Sequence, residues 1–266
     1  MLVLLPPSES KATPPRRGRP VDIEALSFPE LTEQRLGVLA ALAAVSAAPD
    51  AAARLGVGAS LAADVARNTR LDQLPAVPVS RLYTGVLYDA LGWAGLDEAA
   101  RRRGARRLVV VSALWGALRP HDRVPPYRLA MGTDLPGIGA LAPAWRPLLG
   151  PALTAAAGPR GVIVDCRSAP YAAAWSPTGA LADRTAAVRV FRAGPGGRTV
   201  VSHQAKHTRG EVVRHLLATG AGPRDPAGLA ECLAGRWDVD LVAPARSGRP
   251  WALDVIVPGP PPSATN

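Results

Sequence analysis

Cysteine and long apolar runs are scarce in this chain. It has two cysteines, Cys166 and Cys232, among 266 residues, too few for the disulfide framework of a small secreted scaffold. The opening apolar run "MLVLL" ends at a proline and has no basic segment before it, which argues against a signal peptide or a membrane span there. We therefore expect a reduced, cytoplasmic protein.

Lysine is also rare, although the chain is strongly basic. Lysine and arginine together number 31 against 21 acidic residues, a formal net charge of +10, and only Lys11 and Lys206 are lysines. A charge of this sign favours a polyanionic partner such as nucleic acid or an acidic membrane. The alternative is that the arginine content reflects a GC-rich genome. Where such a chain keeps a lysine, we expect a compact, titratable ammonium to be needed.

The apolar pattern predicts an α/β fold. Apolar residues make up 48% of the chain, enough for a full core. Continuous apolar runs at residues 2–5, in "RRLVVVSA" and in "RGVIVDCRSA" are typical of central strands covered on both faces. Alternating segments on either side of "GPGG" and within residues 237–257 predict two β-hairpins.

Helices are expected in most of the first hundred residues, and one is expected to run without a break through "RLYTGVLYDALGWAGL". The full expectation is a single α/β domain over residues 1–257 with a mixed sheet. It includes a helical subdomain at roughly 29–104 with a helix-hairpin-helix-like element, and a disordered tail at 258–266.

Charged side chains and prolines crowd the segment "SALWGALRPHDRVPPYRLAMG", residues 112–132, directly after the strongest strand signal. Loops that leave strand ends are where α/β sheets bind ligands. Arg119 and Arg128 carry planar forks suited to phosphate or carboxylate, and Tyr127 can stack or donate a hydrogen bond. The alternative is a proline-rich surface loop whose charges are solvated.

A helix is predicted from residue 205, with His203 before it. Its apolar stripe projects back to Arg209 and close to Lys206, so two cations should lie on the inward side of its first turns. Cations there oppose the helix dipole and call for a negative partner. That partner is either a bound anion on the free backbone N–H groups or a buried carboxylate such as Asp165.

Glycines at two turns have the hydrophobic-x-Gly-x-Gly spacing of a helix-hairpin-helix turn. The first turn contains Gly56 and Gly58 next to Arg54, and the second spans residues 135–139. In such a turn the glycines let a helix present its N-terminal amides to a DNA phosphate. An ordinary turn between helices is the alternative.

Metal and cysteine chemistry have weaker support. The three histidines at 203, 207 and 215 lack accompanying ligands at metal-binding spacing, so we expect no metal and no cofactor. Cys166 follows a buried strand, where a free cysteine is usually a small core residue. The rival interpretation makes it a nucleophile with His203 as its base.

Several strings together resemble one family. The block at 112–132 resembles the signature S-G-L-Y-G-x-L-R-P-x-D-x-x-x-P-Y-R-L-x-M-G of the YaaA family of bacterial peroxide stress proteins. "MLVLLPPSESKA", "YTG", "DCRSAPY" and "QAKHTRG" follow the family's order. Members often read S-P-A-K-T where this chain has "PPSESK", so it stays open whether Lys11 takes the place of the family's lysine.

The resemblance implies an unusual α/β fold with a positively charged cleft, DNA binding, and a role in limiting oxidative DNA damage and intracellular free iron. The cleft residues it implies, together with the possible Lys11, are Arg119, Asp122, Tyr127, Arg128, Arg167, Ser168, Tyr171, Lys206 and Arg209.

The predicted function is binding of double-stranded or branched DNA without strong sequence specificity. The alternative is an enzyme acting on a small anionic substrate, in a pocket lined by Arg119, Tyr127, Arg128, Cys166 and Lys206.

Overall fold

A computed structural model describes residues 1–13, 15–194, 197–200 and 202–258. The tail predicted at 258–266 therefore lies, except for its first residue, outside the described residues. The two central residues of the predicted "GPGG" turn lie outside them as well.

Twelve strands are present in the described part of the chain, several of them only two residues long. They are β1 (Leu2–Leu5), β2 (Val77–Pro78), β3 (Leu108–Ser112), β4 (Gly116–Leu118), β5 (Arg123–Val124), β6 (Asp134–Leu135), β7 (Gly139–Ala140), β8 (Ile163–Asp165), β9 (Thr185–Gly194), β10 (Gly197–Val200), β11 (Asp238–Val242) and β12 (Trp251–Val257).

Eight of these strands form one mixed sheet. Its order is β11, β12, β9, β8, β1, β3, β4, and β10 pairs with the far part of β9. The strands β1, β3, β8, β9 and β12 run parallel, whereas β4, β10 and β11 are antiparallel to their neighbours. The predicted α/β class with a mixed sheet is confirmed. Both predicted hairpins are present as the pairs β9–β10 and β11–β12.

The order of the strands in the sheet indicates where a ligand-binding site is expected. The strand β3 lies on one side of β1 and β8 on the other, so the strand order reverses at β1. Open α/β sheets bind ligands at the carboxyl ends of their strands at such a point. All residues of β1, β3 and β8 are buried, as expected for central strands covered on both faces.

Eleven α-helices are present in the described residues. They are α1 (Thr32–Ser46), α2 (Ala51–Arg54), α3 (Ala62–Arg67), α4 (Val79–Leu82), α5 (Val86–Leu91), α6 (Glu98–Arg107), α7 (Leu141–Ala157), α8 (Ala169–Ala172), α9 (Ala180–Asp183), α10 (Ser202–Ala218) and α11 (Pro226–Ala234). Short 3₁₀ turns stand at Pro29–Leu31, Ala59–Leu61, Asn68–Arg70 and Trp93–Gly95.

The unbroken helix predicted through "RLYTGVLYDALGWAGL" is wrong. The chain leaves the helical conformation at Tyr83, which is extended, and Gly85 has a φ of 90° before α5 begins. The break has a tertiary cause. Lys11 and Tyr83 form an antiparallel bridge, and the Thr84 backbone N–H donates to the Ser10 carbonyl at 3.2 Å. Pairing with the N-terminal loop therefore replaces a helical turn.

Two further local predictions are corrected. The helix α10 begins at Ser202, before the predicted residue 205, so the backbone of His203 lies within it. The second glycine turn, at 135–139, joins the strands β6 and β7 as a small hairpin; it does not join two helices.

The first glycine turn does join helical segments, with α2 on one side and a 3₁₀ turn and α3 on the other. Gly56 has a φ of 63°, a conformation that favours glycine. The helix α2 has only four residues, and a helix-hairpin-helix element is not established by this geometry.

The signature block is fixed to α1 by a buried arginine. Arg35 is fully buried and donates through Nε to the Trp115 carbonyl at 3.0 Å and through Nη2 to the Ala117 carbonyl at 2.9 Å. Burial lowers its pKa to about 10, so it remains a cation at neutral pH. These bonds position the turn that follows β3.

A cationic cleft at the carboxyl edge of the sheet

A cavity of about 630 Å³ lies at the carboxyl ends of β1 and β8. The loop after β1, the loop after β8, the α5 helix and α10 form its walls. Seven of the residues predicted to form the site line this cavity, hereafter the cleft: Lys11, Gly56, Arg128, Ser168, Tyr171, Lys206 and Arg209. Segments far apart in the sequence therefore meet at the edge that the strand order indicates.

A second cavity of about 290 Å³ adjoins the cleft. The two share the residues Glu9, Ser10, Lys11 and Arg128. Tyr127, another predicted site residue, lines this smaller cavity. Lys11 and Arg128 therefore stand at the boundary between the two spaces.

The Lys11 ammonium is held mainly by neutral groups. Its Nζ donates to the Ser8 carbonyl at 2.9 Å, lies 4.3 Å from the centroid of the Tyr127 ring and 5.7 Å from that of Tyr83. The loop that carries it is pinned to α4, because the Ala12 backbone N–H donates to the Leu82 carbonyl at 2.8 Å. The position of the amine is consequently fixed by backbone pairing.

This environment changes the acidity of the ammonium. Burial first, and then the nearby Arg128 guanidinium, lower the pKa of Lys11, whereas Glu9 and Asp64 act in the opposite direction; the resulting pKa is about 7. Among the described residues, none of the carboxylates lies within ion-pair distance of the Lys11 Nζ. A substantial fraction of the amine is therefore neutral near physiological pH.

A chain of hydroxyl groups supports the ring beneath Lys11. The Tyr127 hydroxyl lies 2.7 Å from Ser112 Oγ and 3.0 Å from the Tyr83 hydroxyl. Ser112 Oγ already accepts hydrogen bonds from the Leu114 and Trp115 N–H groups, so its own proton is donated to Tyr127. Burial raises the pKa of Tyr127 well above its usual range, so this phenol stays protonated.

Arg128 spans the boundary of the two cavities. Its guanidinium donates to the Glu9 carbonyl and to Glu9 Oε2, each at 3.2 Å. The buried Asn68 braces its backbone from the other side, since Asn68 Oδ1 accepts from the Arg128 N–H and Nδ2 donates to the Arg128 carbonyl, both at 2.9 Å. Asn68 was missed at the sequence level because one asparagine in a helical region carries no motif.

The two cations of α10 differ from each other. Lys206 is exposed at the cleft wall, not inward as predicted, and forms no hydrogen bond or ion pair with the residues that the structure describes. Arg209 is half-buried and donates through Nε to the Val188 carbonyl at 3.1 Å. In the described part of the chain neither cation forms an ion pair with a carboxylate, and the suggested example, Asp165, pairs with Arg167, so the internal-carboxylate alternative is wrong for both.

Arg119 and Asp122 lie outside both cavities that contain Lys11. The buried Asp122 carboxylate accepts from the Ser27 and Arg119 backbone N–H groups at 2.9 and 2.7 Å. Arg119 donates to the Arg106 carbonyl at 2.6 Å, and its guanidinium lies 5.4 Å from the Phe28 ring centroid. These contacts hold the signature loop, and the prediction that the two residues lie in the cleft is corrected.

The Arg167 side chain is also occupied by contacts within the protein. It forms a two-pronged ion pair with Asp165, with Nε–Oδ1 and Nη2–Oδ2 distances of 2.9 and 2.7 Å, and donates to the Tyr171 and Trp175 carbonyls. The guanidinium is fully buried. Its contacts fix the loop after β8 and thereby place Ser168 and Tyr171 at the cleft.

The remaining predicted residues are peripheral. Arg54 is exposed and pairs with Asp50 at 2.9 Å. Gly58 is exposed and, unlike Gly56, does not line the cleft. The phosphate contact predicted for this turn therefore rests on Gly56 and its neighbours.

Cys166 is poorly placed for nucleophilic chemistry. It is fully buried, and burial raises the pKa of its thiol to about 12, so the thiolate is absent at neutral pH. The small-core interpretation fits this environment. In the described residues, no three His, Cys, Asp or Glu side chains are grouped as metal ligands, and no described helix is long and apolar enough to cross a membrane.

Comparison with known proteins supports the family resemblance. A family model described as "Peroxide stress protein YaaA" matches residues 1–239. A UPF0246 protein of Streptomyces coelicolor is 52% identical over 260 residues, covering 97% of this chain and 98% of that protein. A UPF0246 protein of Corynebacterium efficiens is 39% identical over 258 residues, covering 97% and 100%. The chain belongs to the YaaA family of peroxide stress proteins.

Proposed function

We propose that this protein binds DNA through the cleft during peroxide stress, without strong sequence specificity. The observation that carries the proposal is the convergence of Lys11, Arg128, Lys206 and Arg209, from three distant segments, around one cavity. Glu9 is the only acidic residue on its wall, among those that the structure describes. The family description as a peroxide stress protein supports the same setting.

The chemistry of the cleft suits a phosphate backbone more than a particular base sequence. Arginine forks and ammonium groups bind phosphate oxygens without reading bases. The exposed Lys206 is available to an incoming anion, and the overall charge of +10 would attract a polyanion from a distance. The ligand class is therefore double-stranded or branched DNA, contacted at its phosphates.

Binding to DNA would place the protein where peroxide does its damage. Limiting oxidative DNA damage and free iron is what the family resemblance implies, and both effects belong to this proposal. Of the two, protection of DNA follows more directly from a DNA-binding cleft.

The test is a mobility-shift measurement with duplex, single-stranded and branched DNA over a salt series. Release of counterions predicts a log–log slope of roughly −0.9 for each phosphate that the protein neutralises on duplex DNA. With Arg128, Lys206 and Arg209 at the cleft, we expect a steep loss of affinity between low and physiological salt, and similar affinities for unrelated sequences. Affinity that does not change with salt would contradict the proposal.

A further inference from the structure

Lys11 has a setting that phosphate binding alone does not explain. A lysine that only binds phosphate needs to stay charged and accessible to solvent, and Lys206 is exposed. Lys11 instead lies over the Tyr127 ring, at 4.3 Å from its centroid, and its nitrogen donates to the Ser8 carbonyl. The neighbouring carboxylate of Glu9 is directed to Arg128. Lys11 is thus held by a carbonyl oxygen and an aromatic ring, and it pairs with no carboxylate of the described residues.

The amine is also accessible and fixed. Lys11 lines both cavities, and the Tyr127 ring beneath its nitrogen lines the smaller one. The bridge to Tyr83 and the Ala12–Leu82 hydrogen bond hold its backbone. A fixed nucleophile in a cavity lowers the entropic cost of reaction with a bound partner.

We propose that the Lys11 amine forms an imine with an aldehyde of damaged DNA, namely the open-chain deoxyribose at an abasic site bound in the cleft. This inference rests on the proposed DNA binding. An abasic site combines the two features that the cleft accommodates: phosphates on either side, which Arg128, Lys206 and Arg209 can contact, and a missing base that leaves the sugar carbon open to attack.

The chemical step needs no further reactant. The lone pair of the neutral Lys11 nitrogen attacks the C1′ carbonyl carbon, so a C–N bond forms as the carbonyl π bond breaks. One of the two nitrogen-bound protons moves to the carbonyl oxygen. The resulting carbinolamine then loses the nitrogen-bound proton and the hydroxyl group as water, which leaves the imine. A lysine whose pKa burial lowers to about 7 supplies the neutral amine at physiological pH.

The experiment is borohydride trapping with the full-length protein. Borohydride reduces an imine to a stable secondary amine, so a covalent protein–DNA adduct reports imine formation. The substrates are a labelled duplex with one abasic site and the same duplex intact. We expect an adduct with the abasic duplex alone.

The variant Lys11→Arg places a permanent positive charge at this position and removes the reactive amine. We expect its adduct yield, normalised to the fraction of abasic duplex that it binds in a mobility-shift assay, to fall at least about tenfold, because a guanidinium does not form an imine under these conditions. Full adduct yield from this variant would overturn the inference.

The small number of lysines makes the site identifiable without any variant. The chain has two lysines, so peptide mapping of the trapped wild-type adduct by mass spectrometry separates Lys11 from Lys206 and from the N-terminal amine. Modification at Lys11 supports the inference, and modification elsewhere overturns it. Wild-type protein that binds the abasic duplex without forming an adduct overturns the imine alone, whereas protein that binds neither duplex overturns the proposed function as well.

Discussion

The Lys11 ammonium lies 4.3 Å from the centroid of the Tyr127 ring, which joins the N-terminal loop to the signature block across more than a hundred residues of sequence. The ring offers a favourable site for a cation, but it does not replace the hydration that burial removes. The contact therefore fixes the lysine in place while leaving its proton easy to lose.

The first prediction separates two arginines of the same signature block. Arg128→Ala should weaken duplex binding and reduce the magnitude of the log–log salt slope by about one, because one phosphate contact is lost. Arg119→Ala should leave affinity and slope unchanged, because that side chain donates to the Arg106 carbonyl outside the cleft. Fluorescence anisotropy across a salt series measures both.

A matched control for these variants is Arg160→Ala. Arg160 is exposed and precedes β8, at the edge of the parallel strands opposite the cleft. The substitution Arg160→Ala removes the same single positive charge as the other two variants. Equal losses of affinity for Arg128→Ala and Arg160→Ala would show that net charge, and not the cleft, determines binding.

The second prediction concerns Asn68. Replacement by Ala removes the amide that holds both backbone groups of Arg128, so we expect a loss of about 1–3 kcal/mol in unfolding free energy and weaker DNA binding. Urea unfolding and anisotropy measure the two effects. Loss of stability with unchanged affinity would show that Arg128 is positioned without this brace.

The third prediction is a pH dependence of stability. The pKa of Lys11 is about 7 in the folded protein against an ordinary 10.5, so between these values the unfolded chain binds more protons and stability rises with pH. The variant Lys11→Met has no titrating group at this position and therefore lacks this pH-dependent contribution to stability. Its stability relative to wild type should therefore be greatest below pH 7 and decline by about 1 kcal/mol or more as the pH rises above 7.

Urea unfolding of both proteins at several pH values isolates the contribution of Lys11 to the unfolding free energy, because the contributions of titratable groups common to the two proteins cancel in the difference. A constant difference between wild type and Lys11→Met from pH 6 to pH 9 would mean that Lys11 titrates as an ordinary exposed lysine, with no transition near about 7.

The fourth prediction tests the ion pair behind the cleft. Removing Arg167 leaves the Asp165 carboxylate buried without its partner, and Arg167→Ala should cost about 3–5 kcal/mol of unfolding free energy. The double variant Asp165→Ala with Arg167→Ala should lose less than the sum of the two single variants, because the two side chains act as one unit. Additive losses would contradict the pairing.

Much of the fold follows from apolar patterning. The fully buried strands β1, β3 and β8 are continuous apolar runs, and runs of this kind are read directly from the sequence. The break at Tyr83–Gly85 is different. The local pattern there is helical, and the competing interaction is the bridge from Tyr83 to Lys11, seventy-two residues earlier in the chain, which no local window contains.

The site was predictable from the sequence only in part, because lysine is rare in this chain and arginine is common. The scarcity of lysine singled out Lys11 and Lys206, and both line the cleft. Arginine carries no such signal in this chain, because its side chain serves equally well for holding backbone carbonyls. Arg119 and Arg167 do that here, and sequence alone does not separate them from Arg128.

The same scarcity gives the most direct test of the cleft as the DNA-binding surface. Lysine acylation footprinting by mass spectrometry, with and without saturating duplex DNA, reports on Lys206 at the cleft wall and on the N-terminal amine at the opposite edge of the sheet. We predict that DNA slows acylation of Lys206 severalfold and leaves the N-terminal amine unaffected. Bound DNA that leaves the reactivity of Lys206 unchanged would contradict the assignment of the cleft.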